Sequence, residues 1–437
     1  MKLTTDIPIE SFVKIFNQMN HLEYKNFIRH SLQVAKLTRK LVDTLNLPID
    51  LDCAYLAGML HDLGLVIKAS VENYELFVDM FRKVPDLEKI VLTFDKADQH
   101  PLLSYKISSL IKPLCPSCAK GILYHHIPYQ KIPEADSQAI YLANCIKTAD
   151  TISLVYMKHE QGEMTVDLLE EMIESVQKSF GILEEIKVTS LEILQDYKLI
   201  CELLDDENRF NSQKSLTLEE FEHAVRVLAT LLDLRSPYTR NHTFVVAKFA
   251  KAIALEMMTE EDARLMNIAA LLHDLGKLKT PLNILHKKER LDEREFIIMK
   301  RHVVDTYRIL ENSGLTNIAK ISASHHERLD GTGYPTGLKE DQTSIYQKII
   351  QVCDVFSALV EHRPYRERME VKDALSVIEK DVMNKKLDKI VYDKLKELVK
   401  NELSTEDLIF RNALEELFGL NFDEIKHTMS FSSTEEG

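Results

Sequence analysis

An all-α protein built from two similar helical domains is predicted by three observations. Apolar residues recur at helical spacing through almost the whole chain, strand-like alternation is nearly absent, and one ordered set of histidines and aspartates occurs twice. At 437 residues the chain is longer than one ordinary hydrophobic core supports, so two domains are expected. The divisions that fit are residues 1–160 for the first copy, 161–215 for a helical connector and linker, and 216–437 for the second copy with further C-terminal helices.

Hydrophobic residues make up 45% and charged residues 28%, the balance of a soluble globular protein. The net charge of −14 opposes binding to polynucleotides, so an anionic ligand must be held locally by metal ions or a few basic side chains. The N-terminus lacks the apolar stretch of a signal peptide and no later stretch is apolar enough to span a bilayer, which points to a cytosolic protein with no membrane partner. Of six cysteines only Cys115 and Cys118 form a close pair. Without a second pair this reads as incidental or weakly redox-active, and no function is assigned to it.

The elements follow from local signals. In Thr259 to Gly276, Thr259 is an N-cap with Asp262 three residues on, and Leu265, Ile268, Ala269 and Leu272 mark one apolar face. Gly276 is expected to end that helix, leaving His273 and Asp274 in its last turn. The first half repeats the layout: His30 precedes His61-Asp62 by 31 residues, as His242 precedes His273-Asp274. His100, His125-His126 and Asp150 then follow in the order of His302, His325-His326 and Asp354, with interval differences that loops can absorb. A tandem duplication explains this. Between the copies, Met164 to Leu204 reads as two amphipathic helices, and Asp205 to Ser215, with little to bury, as a linker. Helices are expected to continue to about Leu420, with a frayed tail from Met429. The Leu-rich central helices are suited to a homodimer.

Seven side chains of the second copy suit a two-metal centre: His242, His273, Asp274, His302, His325, His326 and Asp354. Taken singly, each histidine is better explained as a core or helix-end hydrogen-bonder. Taken jointly, and in register with a second set, they are better explained as metal ligands. The arrangement expected has Asp274 bridging, His242, His273 and Asp354 on one ion, and His302, His325 and His326 on the other. Two such ions would lower the pKa of a shared water to roughly 7 and stabilise an in-line displacement at phosphorus, which predicts phosphoester hydrolysis. Mixed imidazole and carboxylate ligation suits iron or manganese, with zinc, cobalt or nickel tolerated. The glycines and proline of the segment from Asp330 to Gly337 would suit any tight turn, but their place directly after the paired histidines favours function.

The ordered set Tyr238-Thr239-Arg240-Asn241-His242, His273-Asp274-Leu275-Gly276-Lys277, His302, His325-His326-Glu327, Asp330-Gly331-Thr332-Gly333-Tyr334-Pro335, Asp354 and Arg363-Pro364-Tyr365-Arg366 resembles the HD-GYP family over about residues 234–368. The resemblance implies a metal-dependent phosphodiesterase that cleaves cyclic di-GMP to pGpG and, in some members, onward to GMP, with 3′,3′-cyclic GMP-AMP as a second substrate candidate. It also implies that Asp274 and Lys277 serve catalysis, that Lys277 contacts the scissile phosphate, and that Arg363 and Arg366 help hold the phosphates. Gly333, Tyr334 and Pro335 are expected at the pocket rim, the tyrosine available to stack on a base. Solvated surface charge is the plainer explanation for Lys277 and the arginines. Two positions depart from the family pattern. Tyr238 stands where a three-metal branch has glutamate, which predicts two metals, and Ser357 stands where many members have a second aspartate.

The first copy resembles a divergent HD-superfamily domain. It keeps His30, His61, Asp62, His100, His125, His126 and Asp150 as a second candidate metal set, but Leu65 replaces the lysine and no Gly-rich loop follows the histidines. A regulatory or dimerising role is expected. The alternatives for the whole chain are a non-catalytic cyclic dinucleotide receptor, motivated by Ser357, and a nucleotide phosphohydrolase of the wider HD superfamily.

Overall fold

The computed structural model describes residues 6–18, 25–65, 100–109, 111, 114–132, 136–159, 164–205, 207, 210–234, 242–361 and 369–401. The fold is all-α, and the chain divides into two compact units, Met1–Ala224 and Val225–Gly437.

The first unit contains α1 (Ile9–Gln18), α2 (Lys25–Thr44), α3 (Leu51–Leu60), α4 (His100–Ser109), α5 (Pro116–Tyr124), α6 (Ser137–Met157), α7 (Val166–Lys178), α8 (Glu184–Gln195) and α9 (Tyr197–Leu204). α2 packs on α3 and α6, and α6 packs on α5. Close approach requires small residues at the crossings. A Cβ on Gly58 of α3 would lie 2.8 Å from Ala35 Cα of α2, and one on Gly121 of α5 would lie 2.9 Å from the Leu142 side chain of α6. Asp50 starts α3 by accepting the Cys53 N–H at 3.0 Å, and Asp136 starts α6 by accepting from Gln138 and Ala139.

Three features of this unit differ from the sequence expectation. The stretch 164–204 forms three helices rather than two, because Asp196 leaves helical geometry and caps a new helix by accepting the Leu199 N–H at 3.0 Å. Of their apolar residues, Leu168, Met172, Ile186, Leu194 and Leu204 are buried within the unit, whereas Val166, Val188 and Tyr197 are exposed. Two described residues of the expected linker are also held: Lys36 Nζ donates to Asp205 Oδ1 at 2.7 Å, and Phe210 is buried with its ring 4.5 Å from that of Tyr55. A short antiparallel sheet, β1 (Asp6–Pro8) with β2 (Ser215–Thr217), pairs segments too short for alternation to reveal.

α10 (Leu218–Leu234) runs through the division, and the second unit continues with α11 (His242–Met257), α12 (Glu260–Leu271), α13 (Leu282–Leu285), α14 (Glu293–Asn312), α15 (Thr316–Ser322), α16 (Ile345–Val360), α17 (Val371–Met383) and α18 (Lys389–Asn401). α11 packs on α12 and α16. Capping boxes open α12, Thr259 with Asp262 as expected, α14, Asp292 with Glu295, and α16, Ser344 with Gln347. The expected helices beyond Asn401, the tail, Tyr238, and Arg363 and Arg366 lie outside the described residues. Among the described residues no helix is long and apolar enough to cross a membrane.

α12 ends at Leu271, five residues before Gly276, and a 3-10 turn over Leu275–Lys279 follows. Gly276 is therefore not the helix terminator. It serves close packing: a Cβ there would lie 1.9 Å from the His302 carbonyl oxygen, and its N–H donates to Thr306 Oγ1 at 2.8 Å. The first unit repeats this at Gly64, whose Cβ would lie 2.4 Å from the His100 carbonyl and whose N–H donates to Ser104 Oγ at 2.9 Å. We predict that Gly276→Ala destabilises the chain by about 1–3 kcal/mol, read as a lower denaturation midpoint. An unchanged midpoint would show that α14 and the turn are not tied at this point.

Candidate metal centre

Five elements deliver the seven side chains of the second unit to one place. His242 is the first residue of α11, His273 and Asp274 occupy the turn after α12, and His302 projects from α14. His325 and His326 lie in the turn after α15, and Asp354 is on α16. All are buried except Asp274 and His326, which are partly exposed.

The imidazoles are aimed by their backbones. Nδ1 of His273 lies 2.7 Å from the Ala270 carbonyl, that of His302 2.6 Å from Met299, and that of His325 2.7 Å from Ser322. A carbonyl only accepts, so each Nδ1 carries a proton, and each Nε2 is the atom that presents a lone pair when the ring is neutral. His242 reaches the same state through Ser357: the hydroxyl donates to the His242 carbonyl at 3.3 Å and accepts from Nδ1 at 3.0 Å. Glu361 Oε2 stands 3.6 Å from the same Nδ1.

Lone pairs that converge this way suit a cation. His302 Nε2 is 3.1 Å from His325 Nε2, and His242 Nε2 is 3.3 Å from His273 Nε2. Two nitrogens each about 2.0–2.1 Å from one ion stand about 2.9–3.4 Å apart, depending on the bond angle, so both pairs have the separation of ligands on a shared metal. Asp274 lies between the pairs. Its Oδ2 is 3.3 Å from His273 Nε2 and 3.8 Å from His242 Nε2, while its Oδ1 is 3.4 Å from His302 Nε2 and 3.9 Å from His325 Nε2. Asp354 sets Oδ1 3.2 Å from His242 Nε2 and Oδ2 3.3 Å from His326 Nδ1.

Charge follows the geometry. Burial pushes His242 down to about 4 and His302 down to about 3, against the pull of Asp354 and Asp274, and burial holds His325 well below the usual imidazole range. Burial opposes ionisation of Asp274, but the charges of His273 and Lys277 keep its carboxyl well below the ordinary range. Lys277 Nζ donates to Asp274 Oδ2 and so places a positive charge beside it.

The Gly-rich loop is fastened to this cluster. The buried Glu327 carboxylate accepts from Thr336 N and Oγ1, both at 2.7 Å, and from Leu338 N at 2.9 Å. A Cβ on Gly333 would lie 2.3 Å from Arg328 N, and Tyr334 N–H donates to the His326 carbonyl at 3.2 Å. The Tyr334 ring then sits 4.8 Å from that of His326, with Lys300 Nζ 4.7 Å from its centroid and Pro335 following through a cis peptide.

The first unit assembles its own seven. His61 and His125 have Nδ1 2.8 and 2.6 Å from the Gly58 and Ile122 carbonyls, and His30 Nδ1 is 2.9 Å from Ser153 Oγ, whose hydroxyl donates to Gln33. Asp62 Oδ1 is 2.9 Å from His100 Nε2 and 3.4 Å from His61 Nε2, and Asp150 Oδ1 is 3.2 Å from His30 Nε2. The Nε2 atoms of His30, His61, His100 and His125 all turn into this cluster and face the Asp62 or Asp150 carboxylates, as expected of donors to a cation. Two ligand sets form, His30 with His61 and Asp150, and Asp62 with His100, His125 and His126. Sequence reasoning missed Ser153 and, although it noted Ser357 in place of an aspartate, missed the hydrogen bonds of Ser357 to His242. The two serines stand three residues after Asp150 and Asp354, a spacing visible in both copies. It missed Glu327 as well; Ile127 in the loop-less first copy was the available signal.

Comparison with known proteins agrees with this architecture. HD-domain family models match residues 27–154 and 226–391. The chain is 28% identical to 3′3′-cGAMP-specific phosphodiesterase 1 of Vibrio cholerae over 355 residues, 77% of this chain and 79% of that one. It is 37% identical to 3′3′-cGAMP-specific phosphodiesterase 3 of the same organism over 39% of this chain and 38% of that one. With a cyclic di-GMP phosphodiesterase of Thermotoga maritima it shares 40% identity over 36% of this chain and 43% of the relative. The crystal structure of a cyclic GMP-AMP specific phosphodiesterase of V. cholerae shares the fold with a TM-score of 0.57 at 17% identity, over 92% of this chain and 99% of that one. The chain carries two HD domains, and its relatives are consistent with the HD-GYP family preceded by an N-terminal HD domain. HD-domain phosphodiesterases of this type are metal-dependent.

Two predictions follow from the geometry. Ser357→Ala should weaken metal binding about 10–100-fold, because His242 loses the acceptor that fixes its tautomer; Ser357→Asp should restore it, and unchanged affinity in a competition titration would rule the serine out. The metal-free chain should lose stability as pH falls from 6.5 towards 4. In that window the unfolded chain protonates His242 and His302 while the folded one does not. His30, held up to about 9 by Asp150 and Asp62 despite its burial, acts with the opposite sign, but between 6.5 and 9. Denaturation midpoints flat between pH 4 and 6.5 would contradict this.

Proposed function

We propose that the chain is a metal-dependent phosphodiesterase that hydrolyses a cyclic dinucleotide in its second unit. Asp274 is the observation that carries this reading, because one carboxylate faces two histidine pairs with one oxygen each. In the ligand set proposed, His242, His273 and Asp354 would hold one ion, His302, His325 and His326 would hold the other, and Asp274 would serve both. Iron or manganese fits the imidazole and carboxylate donors, with zinc, cobalt or nickel tolerated. Such ions supply an activated water and a positive clamp on the phosphate.

The chain's own residues do the rest. Lys277, fixed beside Asp274, brings a positive charge to where negative charge grows on the phosphoryl oxygens. The face of Tyr334, with Lys300 behind it, offers a base a stacking surface next to His326. Gly333 and Pro335 set the rim that holds the tyrosine there. Water attacks phosphorus in line, the bond from phosphorus to the 3′ oxygen breaks, and a linear dinucleotide with a 5′ phosphate leaves. Arg363 and Arg366 are proposed as further phosphate contacts.

Both 3′,3′-cyclic GMP-AMP and cyclic di-GMP are proposed as substrates, the first with more support. The similarity to the 3′3′-cGAMP-specific relative runs through both halves of the chain, whereas that to the Thermotoga cyclic di-GMP enzyme covers 36% of it. The hydrogen bonds of Ser357 to His242 remove the motive for a purely receptor reading.

Anaerobic incubation of the Fe(II)- or Mn(II)-loaded chain with each dinucleotide should yield the linear product. Asp274→Ala should abolish turnover, and Lys277→Met should lower kcat about 10²-fold or more with metal content unchanged. Full activity of the Asp274 variant, or tight binding with no product from the parent chain, would overturn the proposal.

A further inference from the structure

The first unit holds a second kind of donor cluster that sequence spacing did not reveal. Cys53 of α3 meets Cys115 and Cys118 at the start of α5, and the three sulfurs lie within 4.8 Å of one another. Cys53 and Cys118 are buried and Cys115 is partly exposed, and none of them is in a disulfide. Buried cysteines often act as small hydrophobic residues in a core. Here the partly exposed thiol opens the cluster to solvent, and three sulfurs around one ion at bond lengths of about 2.3 Å would stand about 3.8–4.0 Å apart, within the spacing present.

We propose that Cys53, Cys115 and Cys118 form a thiolate site for a soft d10 cation, Zn(II) with an exogenous fourth ligand or trigonal Cu(I). Sulfur donors alone select such ions over the iron or manganese that suits the histidine and aspartate sets. The local electrostatics favour thiolate at Cys115. Cys115 is the N-cap of α5, its Sγ accepting the Cys118 N–H at 3.3 Å, so it faces the positive end of the helix dipole. Hydrogen bonds from Cys118 and Cys53, with backbone N–H groups of Cys118 and Ser117, hold the Cys115 thiol well below the ordinary thiol range, while the same contacts push the Cys118 and Cys53 thiols up. On binding, each thiol releases its proton to solvent as its sulfur takes up the ion, with no change of oxidation state.

The location gives the site a consequence. α3 runs from Cys53 to Leu60 and hands the chain to His61-Asp62, while α5 runs from Pro116 to Tyr124 and hands it to His125-His126. A cation bound by the cysteines ties together the starts of the two helices whose ends deliver four of the seven side chains of the first ligand set. The site therefore positions that set rather than joining it.

The test uses the full chain, reduced and stripped of metal, titrated with Co(II) under anaerobic conditions. Thiolate ligation gives an intense near-ultraviolet sulfur-to-cobalt charge-transfer band that histidine and aspartate sets do not. We expect one equivalent of this band, displaced by Zn(II) and lost in Cys115→Ser. Serine is a good N-cap, so that variant keeps α5 intact, with an unchanged far-ultraviolet circular dichroism spectrum. Absence of the band in the reduced parent chain would overturn the proposal, as would a band that survives in Cys115→Ser. A Cys53–Cys118 or Cys115–Cys118 disulfide found by mass mapping of chain purified under reducing conditions would overturn it too.

Discussion

The bond from an imidazole Nδ1–H to the carbonyl three residues earlier is the constraint on which this molecule depends. It recurs at His61, His125, His273, His302 and His325. In the neutral ring each bond spends the one proton on the backbone and turns the other nitrogen inward as a bare lone pair. Several such nitrogens around Asp274 or Asp62 make a buried arrangement that repels itself unless a cation neutralises it. Folding and metal binding are coupled through that repulsion.

The helices are arranged around this need. α12 stops before His273, and Gly276 lets the following turn press on the His302 backbone, so ligands from two separate helices share one cluster. Thr306 joins the same two segments, accepting the Gly276 N–H while its hydroxyl donates to the His273 carbonyl at 3.0 Å. The first unit repeats the layout with Gly64 and Ser104. What it lacks are Glu327, which ties down the loop, and Lys277. Hence both halves gather a candidate metal-ligand set, while among the described residues Lys277 and the loop fastened by Glu327 belong to the second.

Most of the ligand chemistry was legible in the sequence because metal binding demands fixed residue types, and the adjacent pairs His-Asp and His-His survive any change in loop length. Repetition turned weak single signals into a strong joint one. Other features depend on contacts between distant segments, which local periodicity does not encode. Cys53 meets Cys115 only because α3 and α5 pack, β1 pairs with β2 across some two hundred residues, and Phe210 is buried by Tyr55. The end of α12 was misread because glycine most often signals a helix end, whereas here it signals a close approach. Ser357 read as a missing aspartate until its hydroxyl was placed between the ring and carbonyl of His242.

The most direct measurement is X-ray absorption on the anaerobically Fe- or Mn-loaded chain carrying Asp62→Ala, which leaves the second unit's ligand set as the main contributor. Imidazole scattering together with a metal–metal vector of about 3.5–4 Å is the expected result. A single ion with no metal neighbour, or a ligand shell without imidazole, would contradict the bridging place given to Asp274.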